Sequence, residues 1–202
     1  MVGLAKHVGA LSATALFRRY VRHFVTEAEL TERVSQGFGS ELDGVLTIPD
    51  KAVLDKHLKT GGVFQALPHL HASVAAIRCL SQTYPVLAIV RLTRDQDLAR
   101  AQHNLYKQVG CDFLDARSEA PTTVARQILK ALKAGKIVVG IVDRIQKPPA
   151  KLIDKTMDVV RVTAFGSSVG FDVWSTRFAA RAQAPVLPGF VTQTDGRLTL
   201  IT

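Results

Sequence analysis

The stretch Gly61-Gly62-Val63-Phe64-Gln65-Ala66-Leu67-Pro68-His69-Leu70-His71 decides the fold. The glycine pair ends a helix. The run that comes next is short and mostly apolar, has the length of a buried strand, and stops at Pro68. Two histidines then stand where the next helix begins. In an open α/β sheet, ligands bind outside the carboxyl ends of the strands. Position alone therefore puts His69 and His71 at the edge where such folds do chemistry.

Outward from this stretch the same unit repeats. The spacing predicts a helix over 71–82, a strand over 86–92, a helix over 96–108 and a strand over 111–115. A helix runs from Pro121 to Lys133, then a strand over 137–142 that ends at Asp143. The strands are continuous apolar runs, as in parallel sheets covered on both faces. The expected fold class is α/β, with a mostly parallel central sheet flanked by helices and an N-terminal helical segment. The chain reads as one domain, with residues 1–48 as that segment and residues 49–202 as the α/β core.

Upstream, residues 3–25 read as a helix in which Phe17, Tyr20, Val21 and Phe24 form a face opposite Arg18, Arg19 and Arg22. Such a helix lies on a membrane surface or packs on its own domain, and the pattern fits both. Thr26 and Glu29 have capping-box spacing, which starts a second helix at Glu27. Gly37-Phe38-Gly39-Ser40 is a break, and residues 41–48 leave room for a short strand. Asp50 caps a helix whose buried side is Ala52, Val53, Leu54 and Leu58. Beyond Asp143, residues 144–157 read as a polar loop. Then come a strand over 159–164, a helix over 169–183, a strand over 185–192, a turn at Asp195-Gly196 and a last strand over 197–201.

The composition narrows the partners. The 202 residues carry a formal charge of +9, which favours anionic ones: a phospholipid surface, an acidic carrier protein, nucleic acid or a phosphorylated ligand. Aromatic residues make up 6%, too few for a base-stacking surface, and the cations are spread along the chain, so nucleic acid is not expected. No apolar run reaches the roughly 18 residues of a membrane span. The arginines near the N-terminus come after the apolar residues instead of preceding them, unlike a secretory signal. Cys79 and Cys111 sit in apolar patterns as buried thiols, and Cys79 is mid-helix, which does not suit a nucleophile. A cytoplasmic location is expected, with peripheral attachment to the inner face of the membrane as its extension.

Parallel topology gathers the residues just beyond each strand: His69 and His71, Arg91 and Arg94, Asp115 and Arg117, Asp143 and Arg144. A histidine base among carboxylates and arginines suits group transfer to a hydroxyl or amine, with an anionic substrate held by arginine. The same histidines also read as polar caps of a strand. Two histidines at i, i+2 suit a metal ion, but no third ligand stands at a characteristic spacing. Neither GxGxxG nor a P-loop occurs, which argues against dinucleotide binding and kinase chemistry.

The segment from Gly62-Val63 to His69 resembles the "GxVILLTGHFGNWE" segment of the lysophospholipid acyltransferase superfamily. The nearest branch is that of the lipid A late acyltransferases and phosphatidylinositol mannoside acyltransferases. Ala88-Ile89-Val90-Arg91 looks like that branch's "vyR" strand. Leu132-Lys133-Ala134-Gly135-Lys136 and Val142-Asp143-Arg144 are similar to its "LkxGxxvxxlxDq/r" segment. Ala164-Phe165-Gly166 resembles its "FFG", and the run from Ala179 to Pro188 resembles its "lAxrtgApvvP". Order and spacing match over residues 55–200.

The resemblance implies acyl transfer from an acyl-CoA or acyl carrier protein thioester to a hydroxyl or amine of a lipid-like or small acceptor, with no further cofactor. His69 matches the family's base. The family's carboxylate, five residues on, falls on Val74, which cannot orient an imidazole; counted from His71 it falls on Ala76. Asp143, Asp115 or His71 is then left to orient His69. Arg91, Arg144, Phe165 and Gly166 become the substrate-binding residues. The lipid A members carry an N-terminal membrane span, and none is visible here. The alternatives are a non-catalytic binding or partner protein on the same fold, and a basic module that binds an anionic surface.

Overall fold

The computed structural model describes residues 13–44, 46–69, 72–154, 158–164, 166–194 and 197–202. Its first element, α1 (Ala13–Ser35), is one continuous helix. The capping-box spacing at Thr26 and Glu29 starts no second helix, because neither glycine nor proline interrupts residues 13–35. The helix gives way where Gly37 takes a φ of 90°, and a short 3-10 turn, Phe38–Leu42, comes next. β1 (Leu46–Thr47) is the short strand expected before Asp50. α2 (Lys51–Leu58) buries Leu54 and half-buries Leu58, while Ala52 and Val53 face outwards, contrary to expectation. A two-turn helix presents only a narrow stripe to the sheet beneath it.

The repeating units then appear close to their expected bounds. They are β2 (Val63–Leu67), α3 (Ala72–Ser81), β3 (Val86–Val90), α4 (Gln96–Val109), β4 (Asp112–Asp115), α5 (Pro121–Lys133) and β5 (Ile137–Ile141). Beyond β5 the chain departs from expectation in three places. Residues 144–157 are not a plain loop, since they contain β6 (Ile145–Gln146) and β7 (Ile153–Asp154). Residues 169–172 are strand instead of helix: Gly166, at a φ of 74°, turns β8 (Val159–Ala164) back onto β9 (Ser167–Asp172). α6 therefore starts only at Trp174 and runs to Ala182. The single strand expected over 185–192 is two strands in two sheets, β10 (Val186–Pro188) and β11 (Phe190–Thr194), parted at Gly189. A Cβ at Gly189 would overlap Gln65 Nε2 and lie 2.9 Å from the Ile201 carbonyl oxygen, so only glycine passes between the sheets there.

The central sheet is all-parallel, in the order β10-β2-β5-β3-β4. Its strands alternate between two core layers. Val63 and Leu67 join Leu54, Leu80, Leu105 and Ile137 on the side of α3 and α4. Phe64 and Ala66 join Ile128, Leu132, Val138 and Ala179 on the side of α5 and α6. Two smaller sheets attach to this one. β11 pairs antiparallel with β12 (Arg197–Ile201), which runs parallel to β1. The second is antiparallel, in the order β6-β9-β8-β7. The turn predicted at Asp195-Gly196 lies outside the described residues.

Candidate functional site

The sheet order fixes the order of side chains along its carboxyl edge. Pro68 and His69 come after β2; Asp143 and Arg144 come after β5 beside it; Arg91 and Arg94 come after β3; Arg117 comes after β4. Neighbouring strands are about 4.8 Å apart, so these groups share one short edge. The Val142 N–H donates to the Leu67 carbonyl at 3.1 Å, which keeps β2 and β5 paired up to the last residue before Asp143.

Asp143 reaches His69, but through the main chain. Its Oδ2 accepts the His69 backbone N–H at 2.8 Å. Asp115 does the same one pair of strands over, where its Oδ1 accepts the N–H of Leu92 at 3.2 Å and of Arg117 at 2.9 Å. Each strand-end carboxylate thus closes the loop that leaves the neighbouring strand. Ser73 adds a third tie: its buried hydroxyl donates to the Pro68 carbonyl at 2.8 Å, drawing the start of α3 onto the end of β2. The two bonds fix the single Pro68–His69 peptide, and His69 stays exposed.

The acids of this edge are engaged by backbone N–H groups, and the cations are not matched. Arg91, Arg94, Arg117 and Arg144 are all exposed, and none is in an ion pair among the described residues. The edge therefore carries net positive charge beside an exposed imidazole. Val74 is packed against the core on α3, and Ala76 is fully buried. Gly166 lies at the tip of the β8–β9 hairpin, and the residue facing Ile145 is Phe171, about 16 Å further along the strand. His71 and Phe165 lie outside the described residues. Among the described residues, no group of three His, Cys, Asp or Glu side chains could hold a metal ion.

Sequence reasoning missed two polar residues. Ser73 carries no motif, although its place five residues after Pro68 is the signal. Gln65 interrupts an apolar strand, which is itself a signal. It is fully buried, its Nε2 donates to the Leu187 carbonyl at 3.1 Å, and its Oε1 has no partner among the described residues. The amide fastens β10 to β2 beside Gly189.

The two thiols stand apart from this edge. Cys79 donates to the Leu46 carbonyl at 3.5 Å, and burial raises its pKa. Burial also pushes Cys111 up to about 11, with Asp112 adding to the effect. Both are therefore protonated at neutral pH, where only the thiolate attacks. A disulfide reagent at neutral pH should label the native protein slowly and the urea-unfolded chain fast. Both thiols are half-buried instead of fully buried as expected, and fast labelling of the native protein would contradict even that partial burial.

No family model matches the chain, and no curated protein matches it.

Proposed function

We propose that the protein is an acyltransferase that moves an acyl chain from an acyl-CoA or acyl carrier protein thioester to a hydroxyl or amine of a lipid-like or small acceptor. One observation carries the reading: the Asp143 carboxylate takes the His69 backbone N–H at 2.8 Å at the end of β2, beside the cations just beyond β5 and β3. His69 removes the acceptor's proton as its oxygen or nitrogen attacks the thioester carbonyl. The N–H groups opening α3, just beyond His69, face the negative charge that develops on the carbonyl oxygen. Collapse expels the thiolate, which takes the proton back from the imidazolium. Arg91 and Arg144 hold phosphates of donor or acceptor.

A second reading, a binding protein on the same fold without turnover, is favoured by Val74, which leaves the imidazole without the family's carboxylate. Incubation with a panel of acyl-CoAs and acyl carrier proteins, scored for thiol release by mass spectrometry, separates the two. Turnover supports the transferase. Donor binding without thiol release from any donor supports the second reading.

Peripheral attachment to an anionic membrane belongs to the same proposal. No helix among the described residues is long and apolar enough to cross a membrane. On α1, however, Phe17 is 59% exposed and Tyr20 64%, with Val21 and Val25 beside them. The i, i+3, i+4, i+8 spacing makes one strip, which the domain does not cover. Arg18 and Arg22 are exposed as well, and the side chains of Arg19 and Phe24 lie outside the described residues. Rings in the acyl boundary with arginines at the phosphates is the arrangement of an interfacial helix. The double variant Phe17→Asp/Tyr20→Asp should lower binding to vesicles of anionic phospholipid about tenfold or more, given the area of two rings. Unchanged sedimentation with those vesicles would rule out α1 as the membrane-binding element.

A further inference from the structure

The two helices on one side of the sheet carry charge of a single sign. α5 holds Arg126, Lys130 and Lys133, α6 holds Arg177 and Arg181, and neither helix contains an aspartate or glutamate. Three helices on the other side mix signs, with Asp55 on α2, Asp97 on α4, and Glu29 and Glu32 on α1, while α3 carries Arg78 alone. Arg177 is paired with Asp158. Arg126, Lys130 and Lys133 are exposed and in no ion pair among the described residues. They stand at i, i+4 and i+7, so they line one face of α5 over about 10 Å. An open depression of about 780 Å3 lies on that face, lined by α5 and its C-terminal cap alone, with Ala125 and Leu129, both half-buried, among its lining residues.

We propose that this face of α5 docks an acidic amphipathic helix of a partner protein. Three cations in helical register match carboxylates at the same spacing on a facing helix. Ala125 and Leu129 between them accept one or two apolar side chains. A lipid surface fits less well, because none of the large exposed apolar side chains lies on α5 or α6, so nothing there inserts. Nucleic acid fits less well too. The rings of α6, Trp174 and Phe178, are half-buried against the core, and neither α5 nor α6 presents an exposed aromatic ring to stack on a base. Docking here depends on charge and shape and is independent of the chemistry of His69.

The test uses the full chain and a synthetic helical peptide with glutamates at i, i+4 and i+7 beside two leucines. Binding is read by fluorescence anisotropy and mapped by amide shifts in NMR. The wild-type protein should bind with a steep salt dependence and with shifts centred on residues 122–134. The variant Arg126→Glu/Lys130→Glu/Lys133→Glu should lose about tenfold or more in affinity, and a peptide with lysines in place of the glutamates should recover it. The single variant Lys130→Ala, which reverses no charge, should lose a few-fold. Equal binding by the triple variant would overturn the proposal. So would shifts centred on Arg91 and Arg144, or a triple variant that loses RNA or vesicle binding while keeping the peptide.

Discussion

Gly62→Ala is expected to destabilise the protein severely, while Gly61→Ala leaves its stability unchanged or slightly higher. The two glycines are adjacent and look equivalent in the sequence. Their surroundings differ. A Cβ at Gly61 meets nothing within 4 Å. A Cβ at Gly62 would overlap the Leu132 carbonyl oxygen and lie 2.7 Å from both Leu132 Cα and the Lys136 carbonyl oxygen. These are backbone atoms, at the end of α5 and the entry to β5, and they cannot rotate away. The Gly62 N–H donates to that Leu132 carbonyl at 2.8 Å, so moving the chain apart also breaks a hydrogen bond. Overpacking against movable side chains costs about 1–3 kcal/mol. Against fixed backbone the cost should exceed that, out of roughly 5–15 kcal/mol for a whole domain. Gly61→Ala removes only freedom of the unfolded chain and should gain up to about 1 kcal/mol. Urea midpoints for the two variants check this. Similar midpoints would mean that β2 does not start against the end of α5.

Asp143 should prove to be a positioning residue that acts through the main chain of His69. Asp143→Ala removes the acceptor of the His69 N–H and frees the loop after β2. The bond is exposed, so global stability should change by roughly 1 kcal/mol or less after solvent screening. Turnover should fall much further, by about 100-fold, because an ångström of misplacement at a reacting group costs that much. Asp143→Asn keeps an oxygen that accepts the same N–H and should retain most of the activity. A carboxylate acting on the imidazolium by its charge would lose activity in both variants alike. The ratio of the two turnover numbers, with their pH profiles, therefore separates positioning from charge stabilisation.

Much of the core was legible because its signals are local. β2 and β8 match their expected bounds, and α5 runs from Pro121 at its first position to Lys133, with Gly135 just beyond. Each is bounded by glycine or proline and carries its own period. The misreadings share one cause. Residues 169–172 are strand because they pair with β8 and with Ile145-Gln146, a contact that no window on 169–183 contains. Residues 185–192 read as one strand, yet they serve two sheets, since Gln65 and Ile201 crowd Gly189 from distant parts of the chain. In the site, His69 and Asp143 were legible from their places at the ends of adjacent strands. That Asp143 would grip a main-chain N–H was not, because every residue except proline presents the same donor.

The most direct measurement is free thiol release from acyl-CoA and acyl carrier protein donors by the wild-type protein and by His69→Ala, tracked by mass spectrometry in parallel. Loss of a general base should slow transfer by about 100- to 10,000-fold. The exposed side chain of His69 supports no core packing, so the variant should still unfold cooperatively. Turnover by the wild type that collapses in a folded His69→Ala protein is the predicted result. Equal turnover by both proteins, or none by either, would contradict a transferase built on the carboxyl edge of this sheet.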